Sequence, residues 1–314
     1  MFHRSNRPKR EMDEPNSIPA IPQTSLIICS RNRSQMLNEA VESILQLRNV
    51  PAELIIVDQS DTSNHYLANL TTKRSCDVRY LWTQSVGLSR ANNCGIAAAR
   101  HDLLVFTHDD VLVTPTWLDS LVQSLVRAGP RAIITGRVLP LASNEKGHFA
   151  PSTKAAPLPE TYEGRIGRDV LFPMSMAMYR SVIDCIGGFD EQLGPGTPFP
   201  AAEDNDLGFR LLEAGFRIIY DPEPVLYHRD WRTKNDYLPL RWGYGRGQGA
   251  YYAKYLSLQD RYMMSRMSVD ILRHVFPLRY AVWRSPRWLL GNMVYALGIL
   301  SGAIQWLTTE RGTR

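Results

Sequence analysis

The sequence predicts an α/β protein with a mostly parallel central sheet flanked by helices, and two features carry that prediction. Between residues 25 and 138, short apolar runs alternate with segments of helical period. The runs, such as Leu103-Leu104-Val105-Phe106, have the length of buried strands. The segments between them are long enough for the helices that connect parallel strands by right-handed crossovers.

The elements of the first half follow from these runs in chain order. Residues 25–29 and 54–57 read as strands, and Ser34 is placed to cap a helix that carries Leu37, Ala40 and Val41 on one face. A short helix at 64–71, a strand at 78–82 and a helix at 88–99 are expected next. The strand at 103–106 precedes a helix whose first turn contains Pro115.

The second half is less regular in sequence. Prolines and glycines make residues 140–168 a loop, and a strand-helix unit follows at 170–186. Gly187-Gly188-Phe189-Asp190 reads as a turn. A helix begins at the acidic residues 203–206, and residues 217–220 and 225–227 read as two further strands.

Composition sets the class of protein. A chain of 314 residues with 44% hydrophobic content forms a globular core, which excludes a disordered protein. Residues 1–22 are basic and proline-rich without an apolar signal core, so we expect a disordered leader and a cytoplasmic protein. The four cysteines are widely spaced, with no zinc-binding pattern, and are expected as free thiols. The net charge of +5 comes partly from the two ends and suits an anionic surface, either membrane or nucleic acid.

Two acidic clusters are the strongest functional signals. Asp109 and Asp110 follow a buried strand, where unpaired charge is too costly to bury, so they face a cleft or a cation. Carboxylate oxygens suit Mg²⁺ or Mn²⁺ bound together with substrate phosphates. Glu203 and Asp204 open a helix, where one carboxylate can act as a general base. A solvated turn and a helix cap are the plain structural alternatives for the two clusters.

Several weaker candidates surround these clusters. His228 follows an apolar run and is a candidate metal ligand, although a lone histidine is more often a packed side chain. Asp58 ends a strand where carboxylates often contact a ribose. Arg90 lies at the start of a helix and is a candidate phosphate contact. The glycine-rich segment 241–249, which contains Arg246, reads either as a lid over an anionic leaving group or as a flexible surface loop.

Taken in order, these motifs resemble the family 2 glycosyltransferases with the GT-A fold. The resemblance rests on SLIICSRNR at 25–33, IIVDQS at 55–60, GLSRANN at 87–93, THDD at 107–110, GGFD at 187–190 and Glu203-Asp204. It spans residues 25–228. It implies a catalytic domain at 23–230, with a nucleotide-binding half at 23–138 and an acceptor half at 139–230, followed by the lid segment and a helical extension at 231–314.

The resemblance also implies an activity and a set of roles. The reaction is inverting transfer of a sugar from a nucleoside-diphosphate sugar to a glycan or lipid-linked hydroxyl, with Asp204 as the general base. Asp110 and His228 are expected to bind Mg²⁺ or Mn²⁺. The expected nucleotide-sugar-binding residues are Ser30, Arg31, Asp58, Arg90, Asn93, Asp109, Glu203 and Arg246. The expected partners are the donor and the acceptor, with no nucleic acid. A peripheral membrane contact is a further option that depends on residues 288–307.

Two positions depart from the family pattern. His108 stands where the family commonly has an acidic residue, and Arg31 stands where many relatives have an aromatic one, which leaves the donor base open. A catalytically weak nucleotide-sugar-binding or scaffold protein is therefore the alternative function. A sugar nucleotidyltransferase is a further alternative, but its glycine-rich phosphate loop is missing between Ser30 and Leu37.

Residues 288–307 form an uncharged stretch of twenty residues, with Gly298 and Gly302 at GxxxG spacing. Its length permits a bilayer span, and Arg284 and Arg287 flank one end. Three interpretations stay open from sequence: a helix packed on the domain, a helix in the plane of a membrane, and a transmembrane span.

Overall fold

The computed structural model describes residues 21–70, 76–141, 148–150, 152–229, 231–276 and 286–311. These residues form a mixed α/β domain with a helical C-terminal extension, which confirms the predicted fold class. Most of the predicted leader, residues 1–20, lies outside the described residues. The cysteines at 29, 76, 94 and 185 are all free thiols, as expected.

The strands form one sheet across the described residues. They are β1 (Thr24–Ser30), β2 (Glu53–Asp58), β3 (Asp77–Trp82), β4 (Leu103–His108), β5 (Val111–Val113), β6 (Ala132–Leu141), β7 (Glu160–Tyr162), β8 (Met176–Tyr179) and β9 (Arg217–Arg229). Their order is β3-β2-β1-β4-β8-β6-β9-β5, and β7 also pairs with β9. The first four are parallel, whereas β8 runs antiparallel to both of its neighbours.

The helices pack on both faces of this sheet and beyond its second half. They are α1 (Ser34–Leu45), α2 (His65–Ala68), α3 (Leu88–Ala98), α4 (Trp117–Ala128), α5 (Arg180–Ile186), α6 (Glu203–Glu213), α7 (Tyr237–Lys254), α8 (Tyr262–Val275) and α9 (Pro286–Arg311). Alternate residues of β1 serve the two faces. Leu26 and Ile28 pack in the core shared with α1 and α4, whereas Ile27 packs in the core shared with α3 and α6.

Four details differ from the sequence-based expectations. Residues 140–168, expected as a loop, contain the end of β6 and the whole of β7, because β7 pairs with β9. Helix α1 is capped by Arg33, without a side-chain cap bond, and Ser34 is its first residue. Helix α2 ends at Ala68, earlier than expected. The two strands expected at 217–220 and 225–227 are one continuous strand, β9, because β6 pairs along both parts of it, with a register shift between Thr135 and Arg137.

The glycine-rich segment 241–249 is helical, so the prediction of a loop-like lid is wrong. It forms the middle of α7, which packs closely against α9. A Cβ atom on Gly249 would lie 2.0 Å from the Ile299 carbonyl oxygen, and one on Gly302 would lie 2.0 Å from the Arg246 carbonyl oxygen. The GxxxG spacing of α9 therefore serves contact with α7 of the same chain, because only glycine permits this approach of two helices.

We expect Gly302→Ala to destabilise the protein by about 1–3 kcal/mol, since the added methyl group forces α7 and α9 apart. The matched control is Gly167→Ala, where nothing lies within 4 Å of the added Cβ atom. Thermal unfolding measures both variants. Equal melting temperatures for the two would contradict the close packing described here.

Candidate active site

A cavity of about 600 Å³ opens at the carboxyl edge of the parallel strands and extends to the C-terminal helices. It brings together both acidic clusters of the sequence, which are 94 positions apart in the chain. Its charged and polar lining includes Ser30, Arg31, Arg33, Gln59, His108, Asp109, Asp110, Asp169, Glu203, Asp204, His228, Arg232, Arg241, Tyr244, Gln248 and Tyr295.

Parallel pairing brings the first group of these side chains to one place. In the sheet, Cys29 lies opposite His108 and Ser30 lies opposite Asp58, so β1, β2 and β4 end at the same level. The Ser30 hydroxyl donates a hydrogen bond of 2.6 Å to Asp109. The residues that follow each strand therefore meet at the carboxyl edge, where ligands bind in sheets of this kind.

Arg33 joins the two aspartates. Its guanidinium lies 2.9 Å from Asp109 Oδ1 and 3.4 Å from Asp110 Oδ2, and it also stacks on Trp231 at 4.4 Å from the ring centre. The Trp231 indole N–H donates to Asp110 Oδ2 at 2.9 Å, and Arg232 lies over the same ring at 4.2 Å. The first aspartate cluster is thus embedded in positive charge, which suits a diphosphate.

Asp110 and His228 are the side chains that could hold a divalent cation. His228 Nδ1 lies 2.9 Å from the Ser152 carbonyl oxygen, which only accepts, so Nδ1 carries the hydrogen and Nε2 faces Asp110 Oδ2 at 3.5 Å. Asp110 Oδ1 is buried and has no hydrogen-bond partner among the described residues. Asp110 Oδ1 and His228 Nε2 are therefore the atoms that could hold Mg²⁺ or Mn²⁺, which take one or two protein ligands and complete their shell with water and substrate phosphates.

The described residues contain no group of three acidic, histidine or cysteine side chains placed for a metal. A cation at Asp110 and His228 would therefore depend on the donor's own phosphate oxygens. Burial and the nearby charge of Asp110 raise the pKa of Asp109 to about 6, although Arg33 acts in the opposite direction. Asp109 can therefore gain or lose its proton within about one pH unit of 6.

The second acidic cluster begins α6 at a strained backbone position. Ala202, the residue before the helix, has a φ of 71°, which is uncommon for a residue other than glycine. This turn directs Glu203 and Asp204 into the cavity. Burial, and then the charge of Asp169, raise the pKa of Asp204 to about 6, while burial and the charge of Asp204 raise that of Glu203 to about 8. The order of these two pKa values favours Asp204 as the first of the pair to ionise.

A polar network ties Asp204 to the C-terminal helices. Asn205 donates to Gln248 Oε1 at 2.7 Å, and Gln248 donates to Asp169 Oδ2 at 3.0 Å. Arg266 of α8 binds the other oxygen of Asp169 at 2.9 Å. Both oxygens of Asp169 therefore accept hydrogen bonds from side chains. Asp204 instead accepts a hydrogen bond at Oδ1 from the Asn205 backbone N–H. Of these two carboxylates, Asp204 is the one available to a substrate.

Four predicted nucleotide-sugar-binding residues do not line the cavity. Asp58 is buried and accepts hydrogen bonds from Ser60 and Tyr80, while its neighbour Gln59 lines the cavity instead. Arg90 pairs with Glu191. The other two, Asn93 and Arg246, also bind groups of the protein outside the cavity.

Asn93 exchanges two hydrogen bonds of 2.9 Å with the backbone of Phe189, which fastens the turn at 187–190 to α3. Arg246 donates to the Pro198 carbonyl and to Gln305 of α9. Asp206, which sequence analysis placed in the second cluster, is fully buried against Lys254 and Arg210. These side chains hold the cavity walls in place.

Other lining residues escaped the sequence analysis. Arg33 is two positions from Arg31 in the same loop, so its position was detectable from sequence. Asp169, Tyr244, Gln248 and Tyr295 lie in segments whose spacing carries no motif. Tyr244, Gln248 and Tyr295 reach the cavity because α7 packs against α6 and α9 packs against α7.

Comparison with known proteins agrees with this architecture. The model of the family described as Glycosyl transferase family 2 matches residues 25–186, more than half of the chain. The chain belongs to glycosyl transferase family 2. The match covers the strands that deliver Asp109 and Asp110, whereas Asp204 and His228 lie beyond it.

Two relatives illustrate the membership in glycosyl transferase family 2. The chain is 28% identical over 246 residues to the pre-mycofactocin glycosyltransferase of Mycobacterium tuberculosis, covering 74% of this chain and 48% of that protein. It is 24% identical over 236 residues to the glucosyl-dolichyl phosphate glucuronosyltransferase of Haloferax volcanii, covering 69% and 73%. The chain thus spans about half the length of the mycobacterial relative.

A solved structure shares the fold. The mannosyltransferase PcManGT of Pyrobaculum calidifontis, in complex with GDP-Man and Mn²⁺, superimposes with a TM-score of 0.59 at 14% identity, covering 93% of this chain and 91% of that one. This likeness confirms the GT-A fold that the sequence motifs implied.

Proposed function

We propose that this protein is an inverting, metal-assisted glycosyltransferase that moves a sugar from a nucleoside-diphosphate sugar to a hydroxyl of a glycan or lipid-linked acceptor. One observation carries the proposal: Asp110, His228 and Asp204 line the same cavity, which supports a cation at the first two and a general base at the third. The donors bound by the solved relative, GDP-Man with Mn²⁺, support this class of substrate.

The donor's diphosphate lies at the end of the cavity that is rich in positive charge. Arg33 and Arg232 stand beside Asp109 and Asp110 there, and the Nε of Arg232 is buried without a hydrogen-bond partner among the described residues. The guanidinium groups stabilise the negative charge that gathers on the leaving diphosphate. When bound by Asp110 and His228, Mg²⁺ or Mn²⁺ adds Lewis-acid stabilisation of the same charge.

The acceptor hydroxyl lies at the Asp204 end. A sugar hydroxyl is a weak nucleophile near neutral pH, so Asp204 takes its proton as the oxygen attacks the anomeric carbon. The bond to the diphosphate breaks on the opposite side, and a single displacement inverts the anomeric centre. Burial raises the pKa of Glu203, and in its protonated form this side chain donates one hydrogen bond to the sugar rather than competing for the proton.

Thermal unfolding with a panel of UDP, GDP and dTDP sugars, each with Mn²⁺ or Mg²⁺, tests donor binding. A donor at a hundredfold excess over its Kd stabilises the folded protein by about 2.7 kcal/mol, which raises the melting temperature by about 5 °C or more. We expect this rise for one nucleotide class and only with metal. No rise with any donor would contradict the proposal, and binding without transfer to any acceptor would instead support a nucleotide-sugar-binding scaffold.

A further inference from the structure

The outer face of α9 is apolar along its length. Every side chain exposed between residues 290 and 307 is hydrophobic, at a spacing of three and four residues that keeps them on one line. They are Leu290, Met293, Leu297, Leu300, Ile304 and Leu307, here called the α9 stripe. Leu297 is 57% exposed and Ile304 is 63% exposed, so the stripe is open to solvent in the isolated chain. Exposed apolar rows of this size mark an interaction site.

The end of α8 widens this surface. His274 of α8 packs on Tyr295 of α9, with ring centres 4.3 Å apart. Beside it, the last turns of α8 expose Leu272, Val275 and Phe276. The apolar surface therefore continues from α9 onto α8.

The charge around this surface has one sign. Arg273 is exposed beside Leu272, and Arg287 is exposed at the start of α9. Among the described residues from 262 to 309, the exposed charged side chains are these two arginines, and the acidic residue Asp270 is bound by Tyr252, Tyr295 and His274. An apolar helical face edged by arginines matches an anionic bilayer surface. Two copies of the chain would instead bring like charges together, without the opposite charges that flank paired helices.

We propose that the α9 stripe and the end of α8 dock on an anionic membrane surface, with α9 lying in the membrane plane. The opposite face of α9 supports this orientation, because it packs on α7 through Gly245, Gly249, Gly298 and Gly302. Pro286–Thr309 is apolar and long enough to cross a bilayer. A crossing, however, would require α9 to leave these glycine contacts, or α7 to enter hydrocarbon with Arg241 and Arg246.

Docking has a consequence that rests on the proposed function. Tyr295 of α9 and Arg241 of α7 line the cavity, and Arg241 lies over the Tyr295 ring at 4.2 Å. The helix that would touch the lipid is therefore also a wall of the cavity. Sugar transfer in this arrangement takes place at the lipid boundary, which favours a lipid-linked acceptor over a soluble glycan.

Vesicle co-sedimentation of the full chain tests the docking without any sugar substrate. We expect binding to vesicles of phosphatidylcholine with about a third phosphatidylglycerol, and release at high salt or in alkaline carbonate. The variant Met293→Ser/Leu297→Ser/Ile304→Ser should lose at least about tenfold in partitioning. Each of Arg273→Ala and Arg287→Ala should lose about fivefold, from about 1 kcal/mol per basic residue.

The matched control is Leu158→Ser/Val126→Ser, which removes exposed apolar side chains elsewhere and should bind like the parent. Unchanged melting temperatures would show that the stripe variant is folded. Absence of vesicle binding by the parent, equal binding by the stripe variant, or resistance to carbonate extraction would overturn the proposal, as would a dimer in solution that the stripe variant abolishes. Vesicle binding without sugar transfer would leave the docking standing and contradict the proposed function alone.

Discussion

Asp204→Asn is expected to lower kcat for sugar transfer by at least about a hundredfold. The Kd for the donor should stay within about twofold, because the base acts on the acceptor and contributes mainly in the transition state. The amide oxygen can still accept the Asn205 backbone hydrogen bond of 2.8 Å, so the start of α6 is retained. It cannot take a proton from the acceptor hydroxyl. Single-turnover kinetics together with donor titration separates the two effects.

Asp169→Asn is the matched control. Its carboxylate lines the same cavity, but both oxygens already accept hydrogen bonds, from Arg266 and Gln248. We expect this variant to keep turnover within about tenfold of the parent. If Asp204→Asn kept full turnover while Asp169→Asn lost it, Asp169 would be the base.

The pH profile gives a second readout of the same assignment. The base acts when deprotonated, so kcat/KM should fall as the pH drops below the Asp204 pKa of about 6. The negative charge of Asp169 helps to raise that pKa. Asp169→Asn should therefore move the acid limb to lower pH, and a limb that stayed fixed or moved upward would contradict the charge arrangement described here.

The second large effect is expected for Asp110→Asn, which should lower kcat/KM by at least about a hundredfold and remove its dependence on Mg²⁺ or Mn²⁺. A neutral amide is a poor ligand for these cations, and the change leaves Arg33 and His228 without their shared carboxylate charge. Calorimetric titration of the donor at several Mn²⁺ concentrations, and with a chelator, measures whether donor binding still depends on the metal.

Asp109→Asn controls for the loss of negative charge near Arg33, since Arg33 contacts both aspartates while His228 faces Asp110. We expect weaker donor binding in this variant but a preserved response to metal. The opposite pattern, with metal dependence lost in Asp109→Asn and kept in Asp110→Asn, would transfer the ligand role to Asp109.

The nucleotide-binding half was predictable because its signals are local. Apolar runs locate β1, β2 and β4, and parallel pairing places the residues after Ser30 and His108 at one edge. Side-chain direction was not predictable in the same way. Arg90 and Asn93 turn toward the segment at 187–191, about a hundred positions away, and the sequence gives no sign of that contact.

The C-terminal wall was not predictable for a related reason. Each glycine in a helix costs about 1 kcal/mol relative to alanine, so the four glycines of α7 from Gly243 to Gly249 read as a loop. Their helical state depends on contact with Gly298 and Gly302 of α9. The same packing of α7 on α9 brings Tyr244 and Gln248 to the cavity. Because this contact is not local in sequence, local pattern could not predict their role.

In the proposed reaction Asp110 acts on the diphosphate side of the donor and Asp204 on the acceptor hydroxyl, from the two ends of one cavity. A crystal structure of Asp204→Asn with an intact nucleoside-diphosphate sugar and Mn²⁺ tests this directly. We expect the metal on Asp110 and His228, the diphosphate beside Arg33, and residue 204 facing the anomeric carbon on the side opposite the diphosphate. A sugar bound with residue 204 on the diphosphate side, or a donor bound outside this cavity, would contradict it.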